Sequence, residues 1–150
     1  MKLFLASIST ARLRAKSAAD TLTEDYVARS SRYISCATQF HDSEIALLTW
    51  LERLVARTVP ILILLDSRGK QLSSEAFAAH LSRLRDSSLQ HLVFAIGPAD
   101  GWSETARTRA NLLLSLGPMT LPHQLARVVL AEQVYRALTI LAGHPYHSGH

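Results

Sequence analysis

The sequence predicts an α/β fold, an open and mostly parallel sheet of about five strands with helices on both faces. Three observations carry this. Short apolar runs alternate with stretches of helical spacing along the whole chain. The clearest run, Ile61-Leu62-Ile63-Leu64-Leu65, is unbroken aliphatic, as expected of a strand covered on both sides. Glycine follows three of the predicted strands, at Gly69, at Gly97 with Gly101, and at Gly117.

Taken in order, residues 3–8 read as a first strand and residues 17–33 as a helix, with Ala18, Leu22, Tyr26 and Arg29 at helical spacing. Residues 34–40 make a weak second strand. A helix over 43–57 follows, with Ile45, Leu48, Leu51, Leu54 and Val55 expected on its inner face. The third strand covers 61–65, and Asp66-Ser67-Arg68-Gly69-Lys70 is its exit turn. Ser73 or Ser74 caps the next helix, whose inner face is Ala76, Phe77, His80, Leu81 and Leu84. Residues 92–96 form a fourth strand, a short helix starts near Ser103, and 112–116 form a fifth strand. The last helix opens at Pro122, where a missing N–H costs nothing, and stops at Gly143.

A chain of 150 residues, 48% hydrophobic and without repeats or a Pro/Gly-rich linker, is expected to be one domain over residues 1–150. No apolar run approaches the roughly 18 residues of a membrane span. The opening Met1-Lys2-Leu3-Phe4-Leu5-Ala6-Ser7 is too short for a secretory signal, so a cytoplasmic location is expected. The single Cys36 excludes an intrachain disulfide and a thiolate zinc cluster, and reads as a packed thiol. The formal charge is +4, with thirteen arginines against three lysines. Arginine forks onto phosphate and stacks on bases, so the bias suits RNA, although a codon preference gives the same count.

Ligands of open α/β sheets gather at the carboxyl ends of the strands. The three glycine-bearing loops leave such ends, and none has the G-x-G-x-x-G or P-loop spacing. They suit a nucleoside held by backbone amides better than a di- or triphosphate. The final helix is apolar almost all round, through Leu125, Val128, Val129, Leu130, Ala131, Val134, Leu138 and Leu141. One face can be buried at home, so the rest is expected against a second copy, with Val129 and Leu138 as positions where a charge would split a homodimer. Glu132 and Arg136 are spaced to pair across one turn, and Arg127 projects elsewhere, toward phosphate or a partner chain.

The tail holds His144, Tyr146, His147 and His150 around Pro145. Histidines three apart suggest metal, but no helix or carboxylate supports them, and no metal is expected. A stiffened segment presenting Tyr146 to a base, with His144 and His147 as donors or proton acceptors, is the preferred reading. Disorder of residues 148–150 is the third. No hydrolytic triad or H-E-x-x-H is present, so an enzyme here is a transferase that aligns a pre-activated donor.

Several runs carry a resemblance. They are Leu64-Leu65-Asp66-Ser67-Arg68-Gly69-Lys70, Phe94-Ala95-Ile96-Gly97, and Leu114-Ser115-Leu116-Gly117-Pro118-Met119-Thr120-Leu121-Pro122-His123. Glu132-Gln133-Val134-Tyr135-Arg136-Ala137 and His144-Pro145-Tyr146-His147 complete the set. Over most of residues 60–147 the chain resembles the ribosomal large-subunit (23S rRNA) pseudouridine N3-methyltransferase family, in the SPOUT superfamily of knotted methyltransferases. The resemblance implies a C-terminal trefoil knot, an exception to the usual rule. It implies S-adenosylmethionine held at Leu65, Gly97, Leu116, Gly117, Pro118, Met119, Thr120 and Leu121, the same three loops reached above. It also implies a homodimer in which one tail completes the other subunit's site, and a pseudouridine of 23S rRNA on the ribosome as substrate. His144, Tyr146 and His147 are then substrate-contacting, with His147 the first choice of base. Two departures stand out: Gly97-Pro98 replaces the family's Gly-Gly, and the first half lacks a lysine-rich stretch. The alternative is a dimeric RNA- or ribosome-binding module of the same fold without methyl transfer; a nucleoside-binding protein outside RNA metabolism is the third.

Overall fold

The structure, a computed structural model, describes residues 1–9 and 16–148. The elements follow the expected order: β1 Lys2–Ile8, α1 Ala18–Ser30, β2 Ser35–His41, α2 Glu44–Arg53, β3 Ile61–Gln71, α3 Ser74–Asp86, β4 His91–Ile96, α4 Glu104–Arg109, β5 Leu112–Ser115 and α5 His123–Leu141. A single 3₁₀ turn, Pro145–His147, follows. All strand pairs are parallel, in the order β2-β1-β4-β3-β5.

Period-two alternation sorts the strand side chains onto two faces. Leu3 and Leu5 of β1, Ile63 of β3, and Leu92, Phe94 and Ile96 of β4 point to one side. There they meet Phe77 and Leu81 of α3 and Leu130, Val134 and Leu138 of α5. Phe4, Ala6, Leu62, Leu64, Val93 and Ala95 point to the other, against Leu47 and Leu51 of α2, Ala106 of α4 and Trp102 in the loop before it. Phe94, Leu62, Ile63 and Leu64 have no exposed surface, which is why β3 reads as a continuous aliphatic run.

Serines start four helices. Ser17, Ser43, Ser73 and Ser103 each accept a hydrogen bond from a backbone N–H inside the first turn of α1, α2, α3 and α4. At Ser17 the box is reciprocal, Asp20 accepting from the Ser17 backbone N–H at 2.9 Å. α5 begins after Pro122 with no side-chain cap, and Gly143 takes φ +70° just past its end.

Four expectations are corrected. β3 does not end at Leu65: after a bulge it resumes beside β5, Lys70 and Gln71 pairing with Leu114 and Ser115. α2 stops at Arg53 and buries Leu47 and Leu51, while Ile45 and Val55 are 77% and 52% exposed. On α3 the buried alanine is Ala78 and not Ala76. Leu138, offered as a dimer contact, is 3% exposed because it points into the chain's own core.

α5 packs against both α1 and α3. Even so, it does not bury its whole circumference. Leu125 is 51% exposed, and Met119 in the loop before the helix is 83% exposed. Cys36 is a half-buried thiol that burial pushes up to about 12, so it stays protonated.

Candidate donor-binding cleft

Where the bulge in β3 after Leu65 meets the exit loops of β4 and β5, the three segments enclose a cleft of about 430 Å³. That is within the range of small-molecule sites. Leu65, Gly97, Leu116, Gly117, Met119, Thr120 and Leu121 all line it. The fold therefore brings these three segments, distant in sequence, to one place. Pro118 is the one member of the run that does not face the cleft.

Backbone geometry shapes the walls. Ser115 Oγ donates to the Gly117 carbonyl at 3.0 Å and accepts from the Gly117 N–H at 3.2 Å, fixing the turn after β5. Gly117 adopts φ +135°, a conformation that side chains disfavour. Gly97 is demanded by a neighbour instead of by its own dihedral. A Cβ there would lie 2.6 Å from Trp102 Cε2, and the Trp102 ring is buried. Trp102 is anchored by its Nε1–H, which donates to the Leu65 carbonyl at 3.0 Å. Pro98 supplies the carbonyl that accepts the Gly101 N–H at 2.9 Å and closes the β4 exit turn.

One side of the cleft is charged. Asp66 accepts from Arg107 Nε at 3.0 Å and from the Arg68 backbone N–H at 2.9 Å. Burial alone would raise its carboxyl, but those two hydrogen bonds outweigh it and hold Asp66 below the usual carboxylate range. Arg107 also donates through Nη1 to Glu104 at 2.9 Å. Trp102 and Arg107 were not singled out from sequence. An aromatic directly after a glycine loop was a faint cue for Trp102, whereas the Asp66–Arg107 pair joins residues 41 apart and has no local signature.

The tail lies elsewhere in the chain. None of His144, Tyr146 and His147 lines the cleft. His147 bridges Glu75 Oε1 at 2.8 Å through Nε2 and Arg136 Nη1 at 3.1 Å through Nδ1. Because the arginine can only donate, the geometry places the histidine proton on Nε2. Tyr146 O–H donates to Glu132 at 3.1 Å, its ring sits edge-on to Tyr135 at 4.7 Å, and Arg136 lies over it. Burial, with Tyr26 and Glu132 nearby, pushes its phenol above the ordinary range. His144 Nδ1 accepts the Tyr146 backbone N–H. The Glu132–Arg136 pair, 2.7 Å apart and largely buried, is the root of this network. Arg127, expected to reach phosphate or a partner, instead pairs with Asp20 at 2.6 Å and covers Phe40. Among the described residues no three His, Cys, Asp or Glu side chains gather as metal ligands. Residues 149 and 150, and with them the reading of His150 as a ligand or as a disordered end, lie outside the described residues.

No helix of the described residues is long and apolar enough to cross a membrane. A family profile described as Predicted SPOUT methyltransferase matches residues 1–147. The Ribosomal RNA large subunit methyltransferase H of Koribacter versatilis is 53% identical over 135 residues, 90% of this chain and 92% of that protein. The protein of the same name from Brucella anthropi is 60% identical over 86 residues, 57% of this chain and 54% of its own length. The SpoU methyltransferase AviRb of Streptomyces viridochromogenes, solved with AdoMet, covers 94% of this chain and 60% of its own at a TM-score of 0.47 and 15% identity. A five-stranded parallel sheet with a glycine-walled cleft at its carboxyl edge, and a profile match over nearly all its length, have one common reading: the chain belongs to the SPOUT methyltransferase family.

Proposed function

We propose that this protein transfers a methyl group from S-adenosylmethionine to N3 of a pseudouridine in 23S rRNA, acting on the ribosome as a cytoplasmic homodimer. The observation that carries the reading is the convergence of Leu65, Gly97 and residues 116–121 on one cleft, combined with 53% identity to a large-subunit rRNA methyltransferase over 92% of its length.

The cleft fits the donor. Its apolar walls and buried indole suit an adenine, its turns offer backbone groups, and its charged side suits an amino-acid end. Leu65, Gly97, Leu116, Gly117, Met119, Thr120 and Leu121 would hold it, and a sulfonium supplies a methyl already activated toward a nitrogen nucleophile. The protein then has to align that nitrogen and accept its proton. Knotting of the chain around the cleft belongs to the same proposal. In its support, the Gly69 backbone runs so close beside the strand β5 that a Cβ would lie 2.5 Å from the Leu113 carbonyl carbon.

His144, Tyr146 and His147 are proposed to serve the site of the second subunit, since each lies outside the cleft of its own chain. His147 can take a proton only after giving up the Arg136 contact, on Nδ1 directly or on Nε2 in the other tautomer, which gives up Glu75 as well. The exposed Leu125 and Met119, next to the cleft, support a partner at this edge.

The test is transfer of labelled methyl to ribosomes whose large subunit lacks the modification. Incorporation at a single pseudouridine, absent with premodified ribosomes, is expected. Salt-sensitive ribosome binding with no donor affinity would instead assign a binding module of the same fold.

A further inference from the structure

The geometry points to Arg107 as the side chain that recognises the carboxylate of the donor's amino-acid end, with Asp100 facing its ammonium. This rests on the donor reading above and adds to it a group that the three loops do not supply. S-adenosylmethionine has a planar apolar end and a zwitterionic end. The cleft lining likewise holds apolar side chains, Leu116, Leu121 and Ala126 among them, together with the charged Asp66, Asp100 and Arg107.

Within the charged side Arg107 is the arginine built to receive an anion. A guanidinium carries five N–H donors. Nε is taken by Asp66 at 3.0 Å and Nη1 by Glu104 at 2.9 Å, so the plane is fixed at two corners. Among the described residues Nη2 has no hydrogen-bond partner, and it lies 3.9 Å from where a Cβ of Gly101 would sit, beside the cleft-lining turn. Its side chain is 21% exposed. Arg68 also lines the cleft, yet it is 64% exposed and reaches Asp66 only at 3.7 Å. A preoriented fork loses less freedom on binding than a loose one. The two carboxylates on Arg107 position it without consuming its outward face.

Calorimetric titration of the purified protein with S-adenosylmethionine and with its decarboxylated analogue tests this directly. Wild-type protein is expected to bind the intact donor at least about tenfold more tightly than the analogue, as for one charge-assisted contact. In Arg107→Ala the two affinities should fall within about twofold of each other, because the analogue never used the side chain. Arg107→Lys, which keeps the charge and the Asp66 contact but loses the fork, should lie between. Equal losses for both ligands in Arg107→Ala, or no wild-type preference for the intact donor, would overturn the assignment. Wild-type protein that binds neither compound would remove the donor reading beneath it, a result distinguishable from either of these.

Discussion

At Gly97 the cleft has room for a hydrogen and nothing larger. The indole behind it is buried, so Gly97→Ala must displace Trp102 or the β4 exit turn. Overpacking of this kind costs about 1–3 kcal/mol. Donor affinity is expected to drop at least about tenfold, the order of one lost close contact, and Gly97→Ala/Trp102→Leu should recover part of it. Affinity equal to wild type in the single variant would show that the indole does not set the floor. Asp20 makes a second prediction. Its hydrogen bond from Arg127, joined by the Ser17 backbone, lowers its pKa to about 2. The folded-state value lies below the unfolded one, so the pair stabilises fully above about pH 4, and the contribution is lost as pH falls toward 2. Screening at a site 29% exposed keeps the gain to about 1 kcal/mol. In urea melts Asp20→Asn should be less stable than wild type by this amount at neutral pH, with the gap closing in acid. A gap that is constant with pH would assign the loss to the cap alone.

At the scale of elements, α5 decides most. Its apolar circumference was legible in sequence, but which residues face home was not. The period fixes relative angles around the helix, and only the positions of α1 and α3 fix the absolute one. Leu130, Val134 and Leu138 turn inward, and Leu125 is left out. A charge at Leu138 would therefore damage the core, not a dimer contact. Leu125→Glu or Met119→Glu should change association with little effect on the fold. In sedimentation the wild-type chain is expected at twice its 16.6 kDa, and Leu125→Glu at the monomer mass. Equal masses for wild type, Leu125→Glu and Met119→Glu would count against an interface at this edge. β3 shows the opposite limit. Its first half was plain because Ile61-Leu62-Ile63-Leu64-Leu65 is wholly apolar, whereas the resumption at Lys70 and Gln71 depends on β5, which lies far along the chain.

For the molecule as a whole, the alternating pattern carried the fold class, because each strand had to bury two faces and each helix one. Strand order was not readable: β4 inserts between β1 and β3, and adjacency across a sheet is set by crossovers, not by local composition. The candidate cleft was legible to the extent that its walls are backbone turns marked by glycine. Its charged side was invisible, since Asp66 and Arg107 meet only through the fold. The tail was legible as an aromatic, histidine-bearing segment. Its docking on Glu75, Glu132 and Tyr135 of its own chain was not, because those contacts are tertiary.

Amide chemical shifts followed through a titration with S-adenosylmethionine test the account most directly. Saturable shifts clustered at Leu65, Gly97, Gly101, Leu116, Gly117 and Thr120 are the predicted result. Shifts centred on the adjoining cleft between α3 and α5, around Ser74, Val129 and Gln133, with Leu65, Gly97, Gly101 and Thr120 unmoved, would contradict it, as would a spectrum unchanged at millimolar donor concentration.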